Sequence, residues 1–114
     1  MKFDSNIEGN TIVLKMEGDL IGEDNGLDLI ELVNDAIEKQ VLFGIIDISG
    51  IRYINSSGIG VLITILTKLR NKGGEVYLLK PNESVQKLLI ITKLNAIFTI
   101  VDTVDDAREK IKSN

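Results

Sequence analysis

Hydrophobic residues occupy every second position of the segment TIVLKME near the start of the chain, at Ile12, Leu14 and Met16. This alternation is typical of a strand with one buried face. The shorter segment KFDSNIE precedes it, and the residues EGN between the two favour a tight turn. The pattern predicts an N-terminal β-hairpin.

Helical spacing follows. In residues 27–40, Ile30, Val33 and Ile37 form one apolar stripe, and the polar segment GDLIGEDNG before them is expected to be a loop. The same spacing, together with helix start and stop signals, predicts three further helices, over residues 57–71, after Pro81 and after Thr103.

Three hydrophobic runs of strand length separate these helices. VLFGIIDIS, residues 41–49, is nearly continuous, as in a central strand covered on both faces, while residues 75–80 and 97–101 predict two more strands. Strands that alternate with helices indicate a mostly parallel sheet, to which the hairpin adds an antiparallel edge. We expect residues 1–114 to form a single α/β domain with about four helices.

Composition narrows the range of functions. The chain is 44% hydrophobic and carries a net charge of -4, with its lysines and arginines scattered, so we expect no nucleic-acid binding. Its hydrophobic runs are shorter than the roughly 20 residues of a membrane span, and MKFDSNIEGN lacks a signal-peptide core. We therefore expect a cytoplasmic location without membrane insertion.

The absence of histidine and cysteine excludes the common nucleophile pairs and the metal sites that depend on those residues. We expect no enzymatic activity, no cofactor and no metal.

The segment YINSSGIGVL carries the most distinctive chemistry. It follows Asp47 and Ser49, which we expect at the carboxyl end of the central strand, and it leads into a helix. It matches neither a nucleotide-binding loop, because GxxxxGK[ST] is absent, nor a hydrolase elbow, because no histidine could activate a serine. Two interpretations remain open from the residues alone: a capped turn, which is the more conservative, and a serine phosphorylated by another protein.

Nearly the whole chain resembles the STAS domain family, specifically the bacterial anti-sigma factor antagonists. The resemblance rests on Asp-x-Ser at Asp47 and Ser49 followed by SSGIG from Ser56, on the glycine pair Gly73-Gly74 before the fourth predicted strand, and on the segment LNAIF. Gly18-Asp19-Leu20 also resembles the family's loop after the second strand.

This resemblance implies a protein that switches between binding partners. The unphosphorylated domain would bind an anti-sigma factor with a histidine-kinase-like serine kinase fold, phosphorylation would end that binding, and a PP2C-type phosphatase would reverse it. The acceptor would be Ser56, with Ser57 as second choice. Aspartate is common before the acceptor in the family, whereas this chain has Asn55.

The remaining site predictions form two groups. Residues expected to support the loop are Asp47, Ser49, Asn55 and Ser57, although Asp47 could equally be a strand-end acid that binds turn amides. Residues expected to contact the partner are Gly58, Ile59, Gly60, Val61 and Asp19. An alternative function is a STAS subunit docked on a transporter ATPase, in which phosphorylation has no part.

Overall fold

A computed structural model describes residues 2–113, apart from the side chains of residues 23–25. The strands are β1 (Lys2–Glu8), β2 (Thr11–Leu20), β3 (Phe43–Ile54), β4 (Glu75–Leu79) and β5 (Thr99–Val101). The helices are α1 (Gly22–Glu38), α2 (Ser56–Arg70), α3 (Glu83–Ile91) and α4 (Val104–Lys112), with a short 3₁₀ helix at Leu94–Ala96. This order confirms the predicted α/β architecture with its four helices.

The five strands lie in the order β1-β2-β3-β4-β5. β1 is antiparallel to β2, and all other neighbours are parallel. Only Gly9 and Asn10 separate the paired residues Glu8 and Thr11, and Gly9 has a φ of 61°. A glycine with positive φ at the first central position is the signature of a type II′ turn, which confirms the predicted hairpin.

Two hydrophobic layers flank the sheet. The larger one lies under α1, α2 and α3, and its buried helix residues include Leu29, Val33, Leu62, Leu66, Val85 and Leu89. The smaller one lies under α4, where Ala107 packs with Phe43, Ile45, Tyr77, Leu79 and Val101. Because both faces of β3 and β4 are covered, these strands read as the continuous hydrophobic runs seen in the sequence.

The polar loop expected at GDLIGEDNG was a wrong prediction. β2 continues through Leu20, and α1 begins at Gly22. Leu20 is fully buried, and Gly22 lies so close to α2 that an added Cβ would come within 2.6 Å of the carbonyl oxygen of Ser57. Tertiary packing against α2 therefore places ordered structure where local composition favoured a loop.

The expected end of the central strand at residue 49 was also wrong. β3 runs on to Ile54 and stays paired with β2, while its pairing with β4 stops where Asp47 faces Leu79. Beyond that point β2 and β3 form a two-stranded extension of the sheet. This extension delivers the chain to the start of α2.

Two irregularities in the pairing lie along this part of β3. Asp47 faces Lys15 and Gly50 faces Glu17, so β3 uses one more residue than β2 between these pairs; a second extra residue falls at Arg52. These are β-bulges, each of which leaves one residue outside the regular ladder and shifts the alternation of side chains.

The bulges explain an apolar spacing that does not look like a strand. Ile48, Ile51 and Ile54 are buried in the same hydrophobic layer although they are three residues apart. Regular strands bring every second residue to one face, so one extra residue is needed in each interval. The two bulges supply those residues.

Candidate functional site

The loop before α2 is reduced to a single residue. Asn55 is the only residue between β3 and α2, and its extended backbone (φ -96°, ψ 179°) is typical of a helix N-cap. Its side-chain Oδ1 accepts a hydrogen bond of 2.8 Å from the N–H of Gly58, and its carbonyl accepts one of 3.0 Å from the N–H of Ile59. Asn55 is therefore the N-cap of α2.

Ser56 and Ser57 differ in their accessibility. Ser56 is the first residue of α2 and is exposed, whereas Ser57 is half-buried. The carbonyl and Cβ of Ser57 lie within 2.6 and 2.8 Å of a Cβ placed on Gly22, so the beginning of α1 closes over this residue. The two adjacent hydroxyl groups are therefore not equivalent for an enzyme approaching from solvent.

Two residues expected at the partner surface lie inside the domain instead. Gly58 is buried against the end of β2, where an added Cβ would meet the carbonyl oxygen of Leu20 at 2.2 Å. Val61 is 7% exposed and its Cγ2 lies 2.8 Å from a Cβ placed on Gly26 of α1. α2 thus packs on both the sheet and α1, and Gly58 and Val61 do not form an exposed contact surface.

The other expected contact residues do reach the surface. Gly60 is exposed and nothing lies within 4 Å of a Cβ added to it, and Ile59 is half-buried. Asp19 is also half-buried and forms an ion pair of 3.5 Å with Arg52. Asp19 is paired with Tyr53 in the β2–β3 ladder, so Asp19 and Arg52 lie beside the end of β3 that precedes Ser56.

Tyr53 was not among the residues selected from the sequence. Its side chain is 55% exposed, and with Arg52 and Ile54 it borders a shallow cleft of about 200 Å³ that reaches α3 at Ser84 and Leu88. The signal that could have identified it is an aromatic residue just before the helix cap. The central strand was predicted to end at residue 49, so Tyr53 was assigned to a loop and not to a strand next to the site.

Asp47 and Ser49 interact with each other at the first bulge. Asp47 Oδ1 accepts hydrogen bonds from the Ser49 N–H at 2.9 Å and from the Ser49 hydroxyl at 2.7 Å. The rest of β3 separates Ser49 from Ser56 by roughly 15–20 Å of extended chain. The structure therefore joins Asp47 to Ser49 but does not bring either to the start of α2. Their hydrogen bonds stabilise the bulged strand.

Among the described residues, no group of three or more acidic side chains could hold a metal ion, and no helix is long and apolar enough to cross a membrane. Beside the end of β3, the charged residues Asp19 and Arg52 form a solvent-exposed ion pair. The first turn of α2 contains no acidic residue. No carboxylate in the first turn of α2 therefore interacts with the positive end of the helix dipole.

Comparison with known proteins identifies related chains. The sequence model of the STAS domain matches residues 2–107. A Thermotoga maritima protein described as a candidate anti-sigma factor antagonist is 35% identical over 82 residues, which is 72% of this chain and 69% of that protein.

Solved structures share the complete architecture. A crystal structure of a candidate anti-sigma factor antagonist from Thermotoga maritima superposes with a TM-score of 0.83 at 27% identity, covering 96% of this chain and 94% of that one. The unphosphorylated form of the anti-sigma factor antagonist SpoIIAA gives a TM-score of 0.78 at 18% identity, covering 99% and 100%. The phosphorylated form of Bacillus SpoIIAA gives 0.75 at 19%, covering 96% and 99%. At such identities the SpoIIAA comparisons show the fold alone.

Proposed function

This chain belongs to the STAS domain family, and we propose that it is an anti-sigma factor antagonist, a binding protein whose affinity for an anti-sigma factor is controlled by phosphorylation of Ser56. One observation carries the proposal: Ser56 is exposed at the first position of α2, while Ser57 is half-buried beside α1 and Gly58 is buried against β2. A kinase can reach the first serine without disturbing the fold.

The proposed partner is an anti-sigma factor with a histidine-kinase-like serine kinase fold, and a PP2C-type phosphatase would restore the binding form in the cytoplasm. The chain itself would have no catalytic role. Support comes from the name of the 35%-identical Thermotoga relative and from the match to the STAS domain.

The proposed docking surface surrounds Ser56. It contains the exposed ring of Tyr53, the half-buried side chain of Ile59 and the uncovered backbone at Gly60. An aromatic ring, an aliphatic side chain and an open backbone suit a surface that a partner covers closely.

Phosphorylation would oppose docking by electrostatics and desolvation. A phosphate brings a charge of about -1.5 to -2 to the centre of this surface, and a partner would have to bury it without a compensating group. The same charge lies beside the positive end of the α2 dipole, which favours it. The phosphate should therefore disturb the complex and leave the domain folded.

The test uses the histidine-kinase-like ATPase encoded nearest to this gene in its own genome. The purified ATPase is incubated with ATP and wild-type, Ser56→Ala or Ser57→Ala protein, and phosphorylation is located by peptide mass spectrometry. We expect phosphorylation of wild type and of Ser57→Ala, and none of Ser56→Ala. Equal phosphorylation of the Ser56→Ala variant would refute the acceptor assignment.

Binding distinguishes the switch from the alternative role as a structural subunit. Calorimetry should show that the ATPase binds wild type and Ser56→Ala alike, and that prior phosphorylation of wild type weakens binding at least tenfold. Unchanged affinity after complete phosphorylation would overturn the switch. Stable association of both forms with a transporter ATPase would instead support the structural role.

A further inference from the structure

β1 is the antiparallel edge of the sheet. It pairs with β2 on one side, and no described strand lies on the other. Such an edge presents a row of backbone N–H and C=O groups that can pair with another strand. Proteins often protect these edges with charges, so the arrangement of the charges on β1 decides what the edge can accept.

The turn determines which backbone groups point outward. In a two-residue hairpin the residues flanking the turn, here Glu8 and Thr11, form a hydrogen-bonded pair. Bonded and non-bonded pairs then alternate along the ladder, so Glu8, Asn6, Asp4 and Lys2 direct their backbone groups to β2. Those of Phe3, Ser5 and Ile7 point to the free edge.

The geometry points to a symmetric dimer in which the β1 edges of two copies of this chain pair in antiparallel fashion about a twofold axis at Ser5. In this register Ser5 faces Ser5 of the second copy, and Phe3 faces Ile7. All three are residues whose backbone groups point outward. Each strand contributes three N–H groups and three C=O groups, and the two five-stranded sheets become one continuous sheet.

Charge complementarity selects this register. The twofold axis at Ser5 sets Lys2 of each copy opposite Glu8 of the other, and Asp4 opposite Asn6. Shifting one strand by two residues keeps the outward-pointing residues in hydrogen-bonded positions. A shift in one direction would place Asp4 opposite Asp4 of the second copy, and a shift in the other would place Asp4 opposite Glu8. Like charges directly opposite each other are destabilising, whereas opposite charges stabilise a cross-strand pair.

The other face of the strand supplies apolar contacts. Phe3 faces the buried Met16 and packs on the main hydrophobic layer, and Ile7 faces the buried Ile12 and is 38% exposed. Pairing Phe3 with Ile7 of the second copy would extend that layer across the edge and remove the exposed isoleucine from water.

Dimerisation through β1 leaves the proposed switch accessible. A twofold axis perpendicular to the sheet reverses the strand directions of the second copy, so the two Ser56 residues lie at opposite ends of the joined sheet. Each could meet its own partner. The dimer and the phosphorylation switch are therefore separate properties, and one can fail without the other.

The test is sedimentation equilibrium of the full chain across a wide concentration range. We expect wild type to dimerise with a dissociation constant below about 100 μM, as a small but specific interface allows. Lys2→Glu and Glu8→Lys should each weaken dimerisation about tenfold or more, because each places two like-charged pairs in the dimer. An equimolar mixture of the two variants should associate strongly again, since both opposite-charge pairs are restored between unlike chains.

Further variants distinguish pairing through the β1 edge from nonspecific effects of a changed charge or a disturbed fold. Ser5→Pro removes an N–H that points away from β2, so it should block dimerisation while the hairpin persists. Lys72→Glu makes the same charge change in the exposed turn after α2 and should leave dimerisation unchanged. Circular dichroism monitors folding, because Glu8 also contacts Arg108 of α4. If Glu8→Lys does not fold, Lys2→Glu and Ser5→Pro decide the result. A wild type that stays monomeric, or a dimer insensitive to both of these variants, would overturn the proposal.

Discussion

The carbonyl oxygen of Leu20 lies 2.2 Å from where a Cβ on Gly58 would be. The same oxygen accepts a hydrogen bond of 3.4 Å from the N–H of Asn55. The end of β2 is therefore in backbone contact with the first turn of α2, and this contact positions Ser56 at the surface. A side chain at residue 58 would force the two elements apart.

Replacing Gly58 should destabilise the domain. Gly58→Ala is expected to lower the free energy of unfolding by about 2–3 kcal/mol, because the added methyl group overlaps a backbone atom that cannot rotate away. Gly60→Ala is the matched control in the same helix. With open space around it, this change should raise stability by about 0.5–1 kcal/mol through helix propensity. Urea denaturation measures both, and equal effects would contradict the packing argument.

A negative charge at residue 56 should have opposite effects on stability and on binding. Ser56→Asp is expected to raise the free energy of unfolding by about 0.3–1 kcal/mol, because the first turn of α2 lacks an acidic residue. It should weaken binding to the proposed anti-sigma factor partner only partly, since one carboxylate carries less charge than a phosphate. Thermal denaturation at low and high salt checks the first effect, which salt should diminish. Ser56→Ala is the control, and a loss of stability in Ser56→Asp would contradict the dipole argument.

The cap at Asn55 should tolerate aspartate but not alanine. Asn55→Ala removes the acceptor for the Gly58 N–H and should cost about 1 kcal/mol of stability. Asn55→Asp keeps an acceptor oxygen and should be as stable as wild type. It also introduces the residue that is common in the family before the acceptor serine, so a change in phosphorylation rate would assign residue 55 a role in kinase recognition. If Asn55→Ala and Asn55→Asp destabilise the domain equally, the hydrogen bond to the Gly58 N–H is not the main contribution of Asn55 to stability.

Asp47 should matter more for folding than for the switch. Asp47→Ala leaves the Ser49 N–H at the bulge without its carboxylate acceptor and should destabilise the domain by about 1–2 kcal/mol. Ser49→Ala removes only the hydroxyl contact and should cost less. Chemical denaturation ranks the two variants. Phosphorylation of Ser56 in the folded Asp47→Ala protein should proceed at the wild-type rate, and a large reduction would revive the predicted role of Asp47 in supporting the loop.

The regular elements were predictable because their patterns are local. The alternation in β2, the continuous run that starts β3 and the stripes of α1 and α2 each reflect one element against one hydrophobic layer. The second half of β3 was missed because its buried isoleucines, Ile48, Ile51 and Ile54, are spaced by three residues. That spacing fits a strand only when two bulges are present, and the bulges exist because of the pairing with β2.

Contacts from distant parts of the chain likewise decided which site residues are accessible. The sequence singled out the segment from Asn55 to Val61, and nothing local distinguishes a glycine pressed against Leu20 from one in open solvent. The structure buries Gly58 and Val61 and leaves Ser56 and Gly60 exposed. It also exposes Tyr53, which the sequence pattern had not singled out.

Hydrophobic periodicity and turn residues act over a few neighbouring positions, so the amino-acid pattern alone was enough to predict the α/β architecture and the antiparallel hairpin and to single out the stretch that contains Ser56. The end of β3, the hydrogen bonds of Asp47 to Ser49 and the solvent exposure of the residues around Ser56 became known from the folded chain. Those features depend on the register between β2 and β3 and on the close approach of α1 to α2. Such contacts join residues far apart in the chain, and no local pattern records them.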